Sequence, residues 1–90
     1  MGDINNTTIE NFVYENGNYS FVGKLTKEDG EVKNVAGAAY ETREDESKRF
    51  VGQIGITFKQ LRSQLNLIMN DLNDISALSD FSQKIIAVIE

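Results

Sequence analysis

Ninety residues, 40% of them hydrophobic and 26% charged, are expected to form one soluble domain near the size at which a single core just suffices. The absence of cysteine excludes disulfides, and the absence of histidine as well removes the commonest general base, nucleophile and metal ligands together. Fourteen acids against nine bases leave a net charge of −5, which weighs against a duplex-DNA binder that grips phosphates with Lys and Arg.

Residues 1–8, MGDINNTT, are polar and expected to be a flexible arm. Residues 9–41 are expected to form an antiparallel β-meander. In IENFVYENGNYSFVGKLT two alternating runs flank Asn16-Gly17, a dipeptide suited to a type I′ hairpin turn. A two-residue loop there pairs Tyr14 with Tyr19 and Phe12 with Phe21. Phe12, Tyr14, Tyr19 and Phe21 then share one face, and Val13, Ser20, Val22 and Lys24 the other. The aromatic face is expected to be core, because a base-stacking platform would need cations among the rings. A second turn at Asp29-Gly30 leads into VKNVAGAAY. With a two-residue loop, Asn34, Ala36, Ala38 and Tyr40 fall on the aromatic face, where small residues beside large ones leave a trough for a helix.

Residues 43–90 are expected to be the helical part. ETREDESKR resembles a helix start: Thr42 and Asp45 have the spacing of a capping box, and carboxylates suit the first turn. At about 100° per residue, Phe50, Ile54, Phe58, Leu61, Leu65, Ile68 and Leu72 form one stripe, which predicts a long helix over 43–73. Gly52, Gly55 and the β-branched Val51, Ile54, Ile56 and Thr57 favour a fourth strand at 49–56 instead, with Phe50, Gly52, Ile54 and Ile56 on one face. Periodicity supports the helix and local propensity the strand; the long helix is the preferred reading, and under both readings 58–73 is helical. Leu61, Leu65, Ile68 and Leu72 are expected to cover the aromatic face.

Leu67 falls on the polar side of that helix, in line with Ile56, which suggests contact with another subunit. The closing ALSDFSQKIIAVIE predicts a short helix capped by Ser79 or Asp80. Its stripe is Phe81, Ile85 and Val88, widened by Ile86 and Ile89, and it must dock on the sheet or on a partner chain. Ile56, Leu67, Phe81, Ile85, Ile86 and Ile89 are therefore the expected interface of a homodimer or higher homo-oligomer. The fold class expected is α+β, a three- or four-stranded antiparallel meander packed against C-terminal helices, one of them long.

At VGQIGITFKQLRSQLNLI the strand reading resembles the single-stranded-DNA-binding transcriptional coactivators of the positive-cofactor-four type. Their last strand ends in Lys-Gly-Ile-Ser/Thr-Leu and runs directly into an amphipathic helix with a late leucine. Gly55-Ile56-Thr57-Phe58 and Leu65 match that shape, while the signature lysine is Ile54 here. The resemblance covers about 15 of the 90 residues, from about Gly52 to Leu65. It implies a four-stranded sheet, helix-mediated dimers and grooves for single strands.

Two functions follow. The favoured one is a small, acidic, non-catalytic binding module, an adaptor or inhibitor that covers a basic partner protein such as a nucleic-acid enzyme. Glu41, Glu44, Asp45 and Glu46 would form its acidic face. The alternative is a single-stranded nucleic-acid-binding protein whose contacts are Lys24, Lys33, Lys48 and Arg49. No phosphate-binding loop and no calcium-loop spacing occurs, so neither an enzyme, a cofactor nor a metal site is expected. No apolar run approaches a membrane span and no basic-then-apolar leader precedes the domain, so a cytoplasmic location is expected.

Overall fold

Five strands laid down in sequence order make one antiparallel sheet in the computed structural model, which describes residues 6–58 and 63–89. The strands are β1 (Thr7–Asn16), β2 (Tyr19–Glu28), β3 (Glu31–Thr42), β4 (Lys48–Thr57) and β5 (Gln64–Met69). A single 3-10 turn, Leu72–Asp74, then leads into α1 (Ile75–Ile89), which packs across one face. The class is α+β, with one α-helix among the described residues rather than several. β1 begins inside the arm expected over 1–8, of which residues 1–5 lie outside the described residues.

The first hairpin closes over Gly17-Asn18, so Asn16 faces Tyr19 and Tyr14 faces Phe21. Only the first of the two loop residues has positive φ (Gly17, +61°), the pattern of a type II′ turn rather than I′. The partners differ from the expected ones by two positions, an even shift, so the aromatic face survives intact. Phe12 and Phe21 meet edge-on at 5.9 Å between ring centres.

The next hairpin keeps the expected Asp29-Gly30 tip, with both residues at positive φ (+53° and +85°). A bulge then changes everything beyond it. Lys27 faces Val32 but Thr26 faces Asn34, leaving Lys33 as the inserted residue. One extra residue reverses the alternation of the rest of β3. Val35 and Ala39 are therefore buried beside Phe21, and Asn34, Ala36, Ala38 and Tyr40 turn to the opposite face, contrary to expectation. Gly37 lies on the buried side, where a Cβ would run into the Val22 carbonyl and the Gly23 Cα and stand 2.9 Å from the Phe21 ring. The aromatic ring thus takes the space a side chain would fill.

Residues 48–57 are a strand, so the long helix over 43–73 does not form. Gly52, Ile54 and Ile56 face the core as the strand reading required. Phe50 does not, because Val51 is inserted as a second bulge between Phe50 and Gly52. The helix expected over 58–73, which the coactivator resemblance also implied, is replaced at 64–69 by β5, antiparallel to β4. The repeat of Leu65, Leu67 and Met69 suits a strand with one face covered, and three- and four-residue spacings in the same segment had mimicked a helical stripe.

The cover of the aromatic face comes from α1. Leu78, Phe81, Ser82 and Ile85 are buried, and Phe81 lies against Tyr14 and Tyr19 at 5.8 Å each. Leu65, Ile68 and Leu72, expected in that role, are exposed, and Leu61 lies outside the described residues. The helix starts at Ile75, ahead of the expected caps Ser79 and Asp80, and Val88 sits off the stripe, exposed. Among the described residues no helix is long and apolar enough to cross a membrane.

Candidate binding surface

With α1 on one face, the other face of the sheet has no element packed against it among the described residues. The side chains on it follow from the alternation and the two bulges. β1 presents Ile9, Asn11 and Val13; β2 presents Val22, Lys24 and Thr26. β3 and β4 add Asn34, Ala36, Ala38 and Tyr40 opposite Thr57, Gly55, Gln53 and Phe50. Gln64, Asn66 and Ile68 complete it from β5. Ile9, Val13, Val22 and Ile68 are each at least half exposed. Ala36, Ala38 and Gly55 are too small to fill the space between them, and a shallow trough of about 390 Å³ results, walled by Gln53, Asn66 and Ile68. The trough expected on the aromatic side therefore exists on the opposite face, moved there by the bulge at Lys33.

In the middle of the strands this face carries one charge, Lys24, whose Nζ donates to Asn11 Oδ1 at 2.7 Å, while Glu15 and Lys48 lie on it at the strand ends. The acids gather at the two ends of the strands. Glu28, Asp29 and Glu31 surround the β2–β3 turn, and Glu44, Asp45 and Glu46 form the exposed β3–β4 tip. Neither cluster starts a helix. Asp45 accepts from the Ser47 amide at 3.1 Å and its hydroxyl at 2.6 Å, which holds its carboxyl below the ordinary range. Glu46 takes a φ of +70° to close the turn. The short oxygen-bearing side chain that made Asp45 resemble a cap equally makes a side-chain-closed turn.

Glu41 is separated from that acidic tip. It points to the helix side, where Arg49 Nε donates to it at 3.0 Å, and the same guanidinium grips Asp74 through two bonds of 3.0 and 3.1 Å. These bonds raise the Arg49 pKa and lower that of Asp74. Tyr19, partly buried beside Glu41, has its hydroxyl pKa raised, first by burial and then by that carboxylate. The cluster ties β3 and β4 to the start of α1. It holds Glu41 and Arg49 on the covered side, apart from the exposed acidic tip and from Lys24 on the open face.

The remaining expected contacts scatter. Lys24 is on the open face, Lys33 sits in the bulge bonded to Glu31 at 3.1 Å, and Lys48 is exposed near the acidic tip. Of the residues expected between subunits, Ile56, Phe81 and Ile85 are in the chain's own core at 3% exposure or less. Leu67, Ile86 and Ile89 are half-buried against that core. Ile9, Val13, Val22, Ile68 and the Tyr40–Phe50 ring pair, 5.8 Å apart, are the surface features that the sequence reading did not single out. The alternation had already set Val13 and Val22 opposite the aromatic quartet; their exposure required knowing that only one face has a cover. No group of acidic residues among the described ones is placed to hold a metal ion. No protein-family model, curated protein or solved structure matches the chain.

Proposed function

We propose that this protein is a non-catalytic binding module that covers a basic partner protein with the open face of its sheet. One observation carries the reading: a five-stranded face, bare and partly apolar, whose middle carries one charge, Lys24, lies between two acidic turns. A protein interface has an apolar centre and a polar rim. Here Val13, Val22 and the Ala36–Gly55 trough supply the centre, and the rim is acidic at both ends. Such a surface suits a partner whose own apolar patch is bordered by Lys and Arg, including the nucleic-acid-binding groove of an enzyme. The acidic rim guides approach and the apolar centre holds.

The test uses the immobilised protein and extract of its own host. Partners retained by the native chain should be lost with Val13→Asp plus Val22→Asp at unchanged circular dichroism. With Glu44→Lys, Asp45→Lys and Glu46→Lys together they should bind more weakly, and the gap should narrow as salt rises. Retention of the same partners by both variants would overturn the reading. The rival reading, a single-strand binder, has Lys24 and the Tyr40–Phe50 rings in its favour. It would take over if a fluorescent oligonucleotide bound at low salt and Lys24→Ala plus Lys33→Ala abolished the binding.

A further inference from the structure

Every sheet that does not close has two edges, and the two here differ in character. β1, at one edge, carries Glu10 and Glu15, with Lys27 of β2 bridging to Glu10 at 3.4 Å. β5, at the other, has β4 on one side and no strand on its outer side among the described residues. Free edges are normally guarded against pairing by charges, proline or bulges. β5 has none of these. From Ser63 to Asn70 the chain reads SQLNLIMN, without charge, glycine or proline, and its register with β4 runs unbroken from Gly52–Met69 to Thr57–Gln64.

A second, independent observation falls in the same place. Nine large hydrophobic residues are exposed among those described, and four of them belong to β5 or the twelve-residue stretch containing it: Leu65 (41%), Ile68 (63%), Leu72 (78%) and Ile75 (52%). An unguarded edge and a concentration of bare apolar side chains are what a strand leaves when its neighbour is removed.

We infer that β5 pairs edge to edge with β5 of a second copy of this chain, joining the two sheets into one of ten strands. The occupant is argued from charge and register. A chain of net charge −5 repels its own copies over most of its surface, and β5 is an uncharged strand in which two copies can meet. An acid-seeking basic partner finds nothing there to recognise. An antiparallel pair centred on Leu67 is self-complementary: Leu67 faces its own copy, Leu65 faces Met69, and Asn66 faces Ile68. Leu65, Leu67 and Met69 lie on the helix-covered side, so their two rows would join the two cores into one apolar layer. Antiparallel pairing also brings the Leu72–Ile75 end of one copy beside the Leu65 end of the other. Asn66 and Ile68 also wall the open-face trough, so the two readings are told apart by Val13→Asp plus Val22→Asp, which lies on β1 and β2 away from this edge and should leave the dimer intact.

Light scattering on the full chain should give twice the chain mass at micromolar concentration. Asn66→Asp plus Ile68→Asp changes two exposed positions and sets like charges against each other across the seam, so this variant should be monomeric with unchanged circular dichroism. Asn66→Asp plus Ile68→Lys sets opposite charges against each other in the same register and should restore the dimer. A native chain that stays monomeric, or a like-charge variant that stays dimeric, overturns the proposal. Failure of the opposite-charge variant to dimerise overturns the register centred on Leu67.

Discussion

The two faces of the sheet are made by the same five strands, yet they reach opposite ends. Toward α1, Phe12, Tyr14, Tyr19, Phe21, Leu25, Val35, Ile54 and Ile56 form a packed layer closed by Leu78, Phe81 and Ile85. Away from it, Val13, Val22 and Ile68 stand out around a trough floored by Ala36, Ala38 and Gly55. Hydrophobicity alone does not separate the two sets, since valine and isoleucine occur in both. The placement of size does: on the helix side rings fill the centre, whereas on the open side the centre is small residues and the rings, Tyr40 and Phe50, stand at one end. A helix can dock only where side chains fill the space beneath it, and one inserted residue at Lys33 decides which face receives which half of β3.

The sharpest way to break this contrast is to remove one apolar side chain from each face. Phe81→Ala should cost about 3–5 kcal/mol, because a buried ring between Tyr14 and Tyr19 leaves a cavity. Val22→Ala on the open face should stay within about 0.5 kcal/mol. Urea unfolding of both variants checks the pair. Similar losses would mean that Val22 is covered in solution, which would point to self-association through the open face rather than through β5.

The same contrast shows how far the residues alone could be read. Alternation in 9–28 was long and strongly marked, so the first hairpin and its aromatic face followed directly, and an even shift of register left the face unchanged. The faces of β3 did not follow, because VKNVAGAAY holds no signal that Lys33 is inserted; small and β-branched residues fit either phase. Residues 64–72 are ambiguous for a different reason. Leu65, Ile68 and Leu72 have helical spacing, while Leu65, Leu67 and Met69 have strand spacing, and pairing with β4 decided between them. Gly52, Gly55 and the β-branched residues around them gave the correct local preference, and periodicity over a longer window had outweighed it. The candidate surface was legible only in part: Glu44, Asp45 and Glu46 are exposed as expected, but the open face emerges from two bulges and a single helix.

A smaller effect concerns the Arg49 cluster on the covered side. The Arg49 guanidinium holds the Asp74 carboxyl below its ordinary range, with partial burial opposing. A carboxyl depressed in the folded state binds its proton more readily when unfolded. The stability it adds is therefore complete above the ordinary aspartate pKa of about 3.9 and is lost as pH falls through the folded value. Thermal melts should be flat from neutral pH to the upper edge of that range and then fall. Asp74→Asn should lower the melting temperature at neutral pH and make the acid drop shallower. Asp45, depressed by Ser47, would leave some drop in place. An unchanged acid limb in the variant would show that α1 is not anchored through this pair.

The smallest effect tests the exception on the open face. Ser20 belongs to that face by alternation, paired with Glu15 on one side and Tyr40 on the other, yet it is only 3% exposed. Its Oγ has no hydrogen-bond partner among the described residues. A buried hydroxyl without a partner forfeits its hydration for nothing, a cost of roughly 1–3 kcal/mol. Alanine removes the oxygen and keeps the Cβ, so Ser20→Ala should raise stability by about 1 kcal/mol, less than the full penalty because a small void replaces the hydroxyl. Urea unfolding of the variant measures this. A loss of stability instead would mean that the hydroxyl is satisfied in solution, by water or by an approaching chain, and the face around Tyr40 and Phe50 would then be wetter or more occupied than its geometry implies.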